Sequence, residues 1–390
     1  MTVQPFTIDV PQATLADLRY RLAHTRWPDQ VEDAGWDYGV NLDYLQELVA
    51  YWHDRFDWRA QERQLNQFAQ FRAEIDGVGI HFIHERGQGP NPVPLLLLHG
   101  WPDSFYRMYK IIPMLTDPAR YGGDPADSFD VIVPSLLGFG FSDRPRKRGG
   151  ARDSELLPRL MTEVLGYPRF AAHGGDTGSP VAQMIALAQP ESVIGLHLMD
   201  TGWHNPISAD TPNLSPAEQA YVQHLDRYWA EEGAYAAIQG TKPQTLAYGL
   251  NDSPAGLAAW IVQQFRTWSD CNGDVESRFT KDELLTNIMI YWVTQTISSS
   301  IRGYYDGMHV QWEESAEWND PAQWEQSEPS SSVPVGLALF PKDNPPPREA
   351  AERTLNVQQW TEMPRGGHFA ALEEPELLVD DMRAFFRRFR

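Results

Sequence analysis

The stretch His173-Gly174-Gly175-Asp176-Thr177-Gly178-Ser179-Pro180, HGGDTGSP, stands between an apolar run, RFAA, and a helical pattern, PVAQMIALA. It reads as strand, sharp turn, helix. Small residues at 174 and 178 let the backbone turn tightly while the apex residue takes a strained conformation and projects its side chain. A turn of this kind presents a nucleophile at the end of a strand. The apex here is a carboxylate, Asp176, a different kind of nucleophile from a serine.

Working outward, short apolar runs of the parallel-strand type flank the turn on both sides: VPLLLLHG, FDVIVPSL and RFAAHGG, then VIGLHLMD. Loops and helical stretches separate them, which implies an α/β sheet wrapped by helices. The rhythm breaks near Thr201 and returns near Val333 with PVGLALF, LNVQQWTEM and a final amphipathic helix through PELLVDDMRAFFRRF. The interval 201–332 holds most of the fourteen tryptophans and several helical patterns without a comparable strand run. It is expected to be a helical lid inserted between two strands, over the carboxyl ends where open α/β sheets place their sites. Residues 1–70 read as a helical, aromatic segment, with Leu15, Leu18 and Leu22, and Leu42, Leu45, Leu48 and Trp52, at helical spacing. From Phe71, FRAEIDGVGIHFIHE alternates around Asp76-Gly77, the pattern of a hairpin. The expected divisions are therefore an N-terminal meander, 1–70; a core in two parts, 71–200 and 333–390; and a lid, 201–332.

Composition narrows the function classes. Against 32 basic residues stand 53 acidic ones, a net charge of −21 that argues against nucleic acid or an anionic membrane as partner. The one cysteine, Cys271, has no intrachain partner, and the chain begins MTVQPFTIDV without the basic and apolar regions of a leader. No apolar run approaches the ~20 residues of a membrane span. The expectation is a cytoplasmic protein without a membrane anchor. No Cys/His spacing, HExxH or GxGxxG points to a metal or a dinucleotide, so no cofactor is expected. Homodimerisation is left open. The basic loop RPRKRGGAR, 144–152, reads as a solvated face.

Three strand ends carry reactive side chains, in the order Asp176, Asp343 (LFPKDN) and His368 (RGGHF). Alone, an aspartate is usually a cap or turn and a histidine a surface or satisfied core group. Together and in this order they resemble the nucleophile, acid, histidine series of the α/β-hydrolase arrangement. In that arrangement the loop after an earlier strand gives one amide of an oxyanion hole and the residue after the nucleophile gives the other. Here these are the amides of Trp101, in HGWPDSFY, and Thr177.

At these residues a family resemblance becomes plain. HGWPDSFYRMYKIIPML, VIVPSLLGFGFSD, HGGDTGS, LNDSPAGLAAWI and RGGHFAALEEPELL resemble the epoxide hydrolases of the microsomal and juvenile-hormone type, and TRWPDQ, GWDYG, YWHDRFDWR and IHFIHE resemble that family's extra N-terminal domain. The chain is similar to soluble bacterial members, some of which act in natural-product assembly. The resemblance implies an α/β-hydrolase fold with an inserted helical lid and an N-terminal helical meander, and a small-molecule epoxide as substrate. It also implies two lid tyrosines, at Tyr235 in EGAYAAIQGTKP and Tyr304 in SSSIRGYYDG, with Tyr248 and the adjacent Tyr305 as competitors. Many relatives carry Trp after the nucleophile, where this chain has Thr177. The mechanism so implied is attack by Asp176 on an epoxide carbon and hydrolysis of the ester by water that His368, oriented by Asp343, activates. Competing readings are a haloalkane dehalogenase, which would want the Trp that Thr177 replaces, and a non-catalytic ligand-binding protein on the same scaffold.

Overall fold

The computed structural model describes residues 2–147, 150, 152–201, 207–314 and 331–390. Residues 148, 149 and 151 of the basic loop, and 202–206 and 315–330 of the expected lid, lie outside the described residues. Among the described residues nine strands form one sheet: β1 (Val3–Phe6), β2 (Gln70–Ile75), β3 (Val78–Glu85), β4 (Val93–Leu98), β5 (Phe129–Pro134), β6 (Phe170–Gly174), β7 (Val193–Leu198), β8 (Val335–Leu339) and β9 (Val357–Glu362). Their spatial order is β1-β2-β3-β5-β4-β6-β7-β8-β9. Pairing is antiparallel from β1 through β3 to β5 and parallel from β5 to β9, so the carboxyl ends of β4 to β9 share one edge. Continuous apolar runs suit strands covered on both faces, and β4 to β8 are buried over most of their length.

The β2–β3 hairpin turns through Asp76 and Gly77, both at positive φ, as a tight two-residue connection requires. One strand is absent from the sequence reading. The first residues, read as helical, contribute β1, which pairs with β2 at the sheet edge, where Pro5 and its missing N–H are tolerated.

The N-terminal helices α1 (Gln12–Ala23), α2 (Leu42–Asp54) and α3 (Trp58–Leu65) precede the hairpin. On the sheet, α4 (Ile111–Thr116), α5 (Asp153–Arg159) and α6 (Gly178–Ala188) supply the crossovers. Between β7 and β8 run α7 (Pro216–Glu232), α8 (Ala234–Thr241), α9 (Pro243–Asp252), α10 (Pro254–Trp268), α11 (Lys281–Thr294) and α12 (Ile297–Glu314). The chain closes with α13 (Arg348–Glu352), α14 (Ala370–Glu373) and α15 (Pro375–Phe386), whose Leu378, Met382 and Phe385 turn one apolar face to the sheet. Capping boxes start α7, at Ser215 and Glu218, and α11, at Thr280 and Glu283.

The lid helices are fastened on two sides. Arg353 of the core grips Glu218 of α7 through Nε (2.6 Å) and Nη2 (3.0 Å). From the N-terminal layer, α1 and α2 pack on α10, and α2 on α11, with Tyr51 donating to Asp282 (2.9 Å) and Lys281 paired with Glu47 (3.0 Å). One apolar cluster runs through all three regions, from Leu48 and Trp52 through Leu96 and Leu97 to Leu285 and Ile288. Burying each such Leu or Ile side chain stabilises the fold by roughly 1.5–3 kcal/mol. Among the described residues no helix is long and apolar enough to cross a membrane.

Candidate active site

Strand β6 delivers Asp176 to the apex of the turn with φ at 55°. That left-handed conformation costs a non-glycine residue roughly 1–2 kcal/mol, and the neighbourhood holds it in place. A Cβ at Gly174 would strike the carbonyl of Gly178, and one at Gly178 would strike that of Leu98, so the strand, the turn and α6 close up only with glycine at both positions. The Asp176 amide donates to Asp200 Oδ2 at 2.8 Å, just beyond the end of β7.

Pairing of Leu98 with Gly174 sets the loop after β4 beside the turn. The Trp101 amide donates to Asp176 Oδ1 at 2.8 Å, and a Cβ at Gly100 would collide with that carboxylate. The Thr177 amide is a further donor to the carboxylate, and the Thr177 hydroxyl reaches Oδ1 at 2.9 Å. Burial pushes the Asp176 carboxyl up from its ordinary value, against the pull of His368 and the Trp101 amide. His99, at the head of the loop, is structural: its Nε2 accepts the Leu136 amide (3.1 Å), which leaves Nδ1 to donate to the Gly100 carbonyl (3.1 Å).

Asp343, after β8, and His368, after β9, complete the cluster. His368 Nδ1 meets Asp343 Oδ1 at 2.8 Å, and its Nε2 lies 3.7 Å from Asp176 Oδ2. Burial alone would lower the imidazole; the Asp343 charge and hydrogen bond, with help from Asp176, outweigh it and raise His368 to about 9. Its backbone amide is held by the Trp268 carbonyl at 2.9 Å. The fold thus brings Asp176, Asp343 and His368 together from three strand ends, with the two oxygens of Asp176 in different settings: Oδ1 among donors, Oδ2 facing His368.

The lid adds two phenols. Tyr235 of α8 stacks on the Trp101 ring, centroids 5.6 Å apart and planes 6° apart, while Tyr304 of α12 meets the same ring edge-on at 5.9 Å. Burial holds both phenols well above their ordinary values; for Tyr235 the nearby Tyr228 and Asp176 add to this and a hydrogen bond from Tyr304 opposes it. The competitors point elsewhere. Tyr305 stacks on His309, and Tyr248 is 72% exposed.

Sequence reasoning missed a buried ion pair beneath the site. Asp103 Oδ2 accepts from Arg107 Nη1 at 2.5 Å, Asp103 Oδ1 accepts the Gly100 amide at 2.9 Å, and Arg107 Nη2 donates to the His368 carbonyl. Both side chains are almost wholly buried. The pair therefore couples the loop after β4 to the loop carrying His368. From the lid, Asn287 donates to the Pro102 carbonyl (2.8 Å) and Tyr291 to that of Asp103 (2.6 Å), fixing the same loop from above. Asp103 and Arg107 stand four apart in DSFYR, a spacing that an exposed helix would share, so the sequence carries no sign of their burial. Asp200 closes the run VIGLHLMD, and its place at a strand end next to β6 was the available clue.

Comparison with known proteins agrees with this architecture. The family described as "Epoxide hydrolase N terminus" matches residues 3–108, and that described as "alpha/beta hydrolase fold" matches residues 93–239. The chain is 42% identical over its whole length to a candidate epoxide hydrolase of Stigmatella aurantiaca (strain DW4/3-1), covering 86% of it. It is 35% identical to epoxide hydrolase 1 of Sus scrofa, with 98% of this chain and 88% of that protein covered. The crystal structure of juvenile hormone epoxide hydrolase from the silkworm Bombyx mori superposes with a TM-score of 0.81 at 29% identity, covering 100% of this chain and 94% of that one. With the α/β-hydrolase sheet, the elbow aspartate and full-length similarity in agreement, the chain belongs to the epoxide hydrolase family.

Proposed function

We propose that the protein converts an apolar or aryl epoxide to a vicinal diol through a covalent ester on Asp176. The observation that carries this reading is the division of labour between the two oxygens of Asp176. Oδ1 accepts the Trp101 amide at 2.8 Å, while Oδ2 looks toward His368 Nε2 at 3.7 Å. In the first step Oδ2 attacks an epoxide carbon, the strained C–O bond breaks, and the alkoxide takes a proton from Tyr235 or Tyr304. Burial keeps these phenols protonated and hence able to donate. In the second step His368, oriented by Asp343, takes a proton from water as it attacks the ester carbon, and the Trp101 and Thr177 amides stabilise the oxyanion on Oδ1. Collapse expels the diol oxygen, which recovers a proton from His368. The carboxyl proton left on Asp176 is exchanged out to restore the phenol.

Two phenols suit an alkoxide better than a halide, and Thr177 supplies no indole N–H beside the nucleophile, which disfavours dehalogenation. The rings of Trp101, Trp268, Tyr235 and Tyr304 pack edge-to-face and stacked around the carboxylate, which fits an aryl or other apolar substrate. The net charge of −21 and the lone Cys271 fit a cytoplasmic enzyme acting on a small neutral molecule.

The test is the origin of the product oxygen. In a single turnover in ¹⁸O-water with enzyme in excess, the diol should be unlabelled and the label should remain on Asp176. Label in the diol on the first turnover would mean direct attack by water, and would overturn the reading.

A further inference from the structure

Thr177 occupies the N-cap position of α6, where a threonine hydroxyl ordinarily accepts an amide two or three residues on. Here it makes no such capping bond. The hydroxyl donates instead to Asp176 Oδ1 at 2.9 Å, the oxygen that also accepts the Trp101 amide at 2.8 Å. The helix does without its side-chain cap, with the amides of Gly178 and Ser179 satisfied by the carbonyls of Gly175 and Asp176 at 3.0 Å each. The side chain after the nucleophile is therefore committed to the carboxylate rather than to the secondary structure.

We propose that the Thr177 hydroxyl is a third donor of the oxyanion hole, a catalytic group for ester hydrolysis in its own right and distinct from the Thr177 amide. The inference rests on the covalent mechanism proposed above. Its energetics have a direction that no purely structural role shares. In the resting enzyme Oδ1 carries part of the carboxylate charge and the hydroxyl hydrogen bond stabilises it, which holds back ring opening slightly. Once Oδ2 has displaced the epoxide oxygen from carbon, Oδ1 is a neutral ester carbonyl and the bond weakens. When water adds to the ester carbon and gives a proton to His368, the π electrons move onto Oδ1, full charge develops there, and the bond is strongest. As the intermediate collapses, the carbonyl re-forms, the carbon–Oδ2 bond breaks, and the diol oxygen takes the proton from His368. A donor of this kind accelerates the second step relative to the ester ground state and slightly opposes the first. It also biases alkylation toward Oδ2, because Oδ1 already has its lone pairs engaged.

The experiment is pre-steady-state mass spectrometry and quenched flow on Thr177→Val, which keeps the shape and removes the hydroxyl, beside Thr177→Ser, which restores it, with styrene oxide as the probe. For Thr177→Val the ester on Asp176 should accumulate and its hydrolysis should slow about 10- to 100-fold, short of the 10²–10³-fold typical of a principal oxyanion donor. Ring opening should be unchanged or faster, and Thr177→Ser should hydrolyse the ester within a few-fold of the wild type. Hydrolysis of the Thr177→Val ester at the wild-type rate overturns the proposal, as does equal slowing of both steps, which would mark a packing defect. A His368→Gln control separates the two levels of inference: if it accumulates no adduct while the wild type makes diol, the covalent mechanism itself is wrong and the role of Thr177 falls with it.

Discussion

In the proposed mechanism a phenol serves the leaving alkoxide only while it keeps its proton, and burial favours the protonated form of both Tyr235 and Tyr304. Replacing either by Phe should lower the rate of ring opening by about 10²-fold, within the range general acid catalysis commonly spans. The double replacement should be close to inactive, as read from the rate of ester formation. Tyr305→Phe should behave like the wild type, because its ring stacks on His309. The sequence left Tyr304 and Tyr305 as alternatives, since adjacent residues of a helix differ by about 100° in direction and only the packing of α12 decides which one faces Trp101. The convergence of Asp176, Asp343 and His368 was legible for the opposite reason: three separate apolar runs are each followed by one of them. Around His368 the charges of Asp343, Asp176, Asp103 and Arg107 and the carboxyl of Glu373 all act, with the net effect of raising it to about 9. In the mechanism proposed above, ester formation would remove the Asp176 charge and let the imidazole fall toward neutrality, so that it could act as a base in the second step. The rate of ester hydrolysis should therefore rise with pH through an apparent pKa below 9, measured best in a Glu373→Gln background because burial pushes Glu373 up to about 7. The same group is linked to stability. Its folded pKa exceeds the ordinary 6.5, so its contribution is complete below that value and is lost as pH rises toward 9. Urea unfolding of the resting enzyme should show that decline, and His368→Gln should flatten it.

Between elements, the pair Asp103–Arg107 ties the segment after β4 to the loop after β9. Removing one partner leaves a buried charge unpaired, which typically costs about 3–5 kcal/mol, whereas replacing both by apolar side chains is often close to neutral. Arg107→Met and Asp103→Leu should each lower the urea midpoint more than the double variant does. The double variant should nevertheless lose activity, since the His368 carbonyl and the Gly100 amide lose their partners. Arg353 and Glu218 form a second tie, between α13's neighbourhood and the lid. Glu218 is 2% exposed, but Arg353 is about a third exposed, so Arg353→Met should cost only about 1–2 kcal/mol, between the surface and buried limits. Hydrogen exchange should quicken in α7 and not in β4 or β6. Strands were the readable part of the fold because a parallel sheet covered on both faces needs unbroken apolar runs. β1 escaped notice because VQPF is short, exposed and interrupted by proline, and it exists only by courtesy of β2. The contacts that hold the site rigid escaped for a related reason. Asn287 to Pro102 and Arg107 to His368 join residues far apart in the chain, and no local pattern records them.

For the molecule as a whole, the N-terminal layer is part of the same core as the sheet and the lid. Deleting residues 1–66 would strip α1 and α2 from α10 and α11 and expose apolar surface that the shared core now buries. The truncated chain should be recovered as aggregate, judged by size-exclusion chromatography, rather than as a folded hydrolase. The lid is accordingly pinned from one side by this layer, from another by Arg353, and from below by the bonds of Asn287 and Tyr291 to the loop after β4. Among the described residues, these ties hold the lid helices to their neighbours on three sides. With the lid tied in this way, the rings packed around Asp176 should select as a mould does, so that turnover of rigid epoxides should depend steeply on bulk and hardly at all on solvent viscosity. New specificities would then arise by recarving single wall residues while the strand-end chemistry beneath stays untouched.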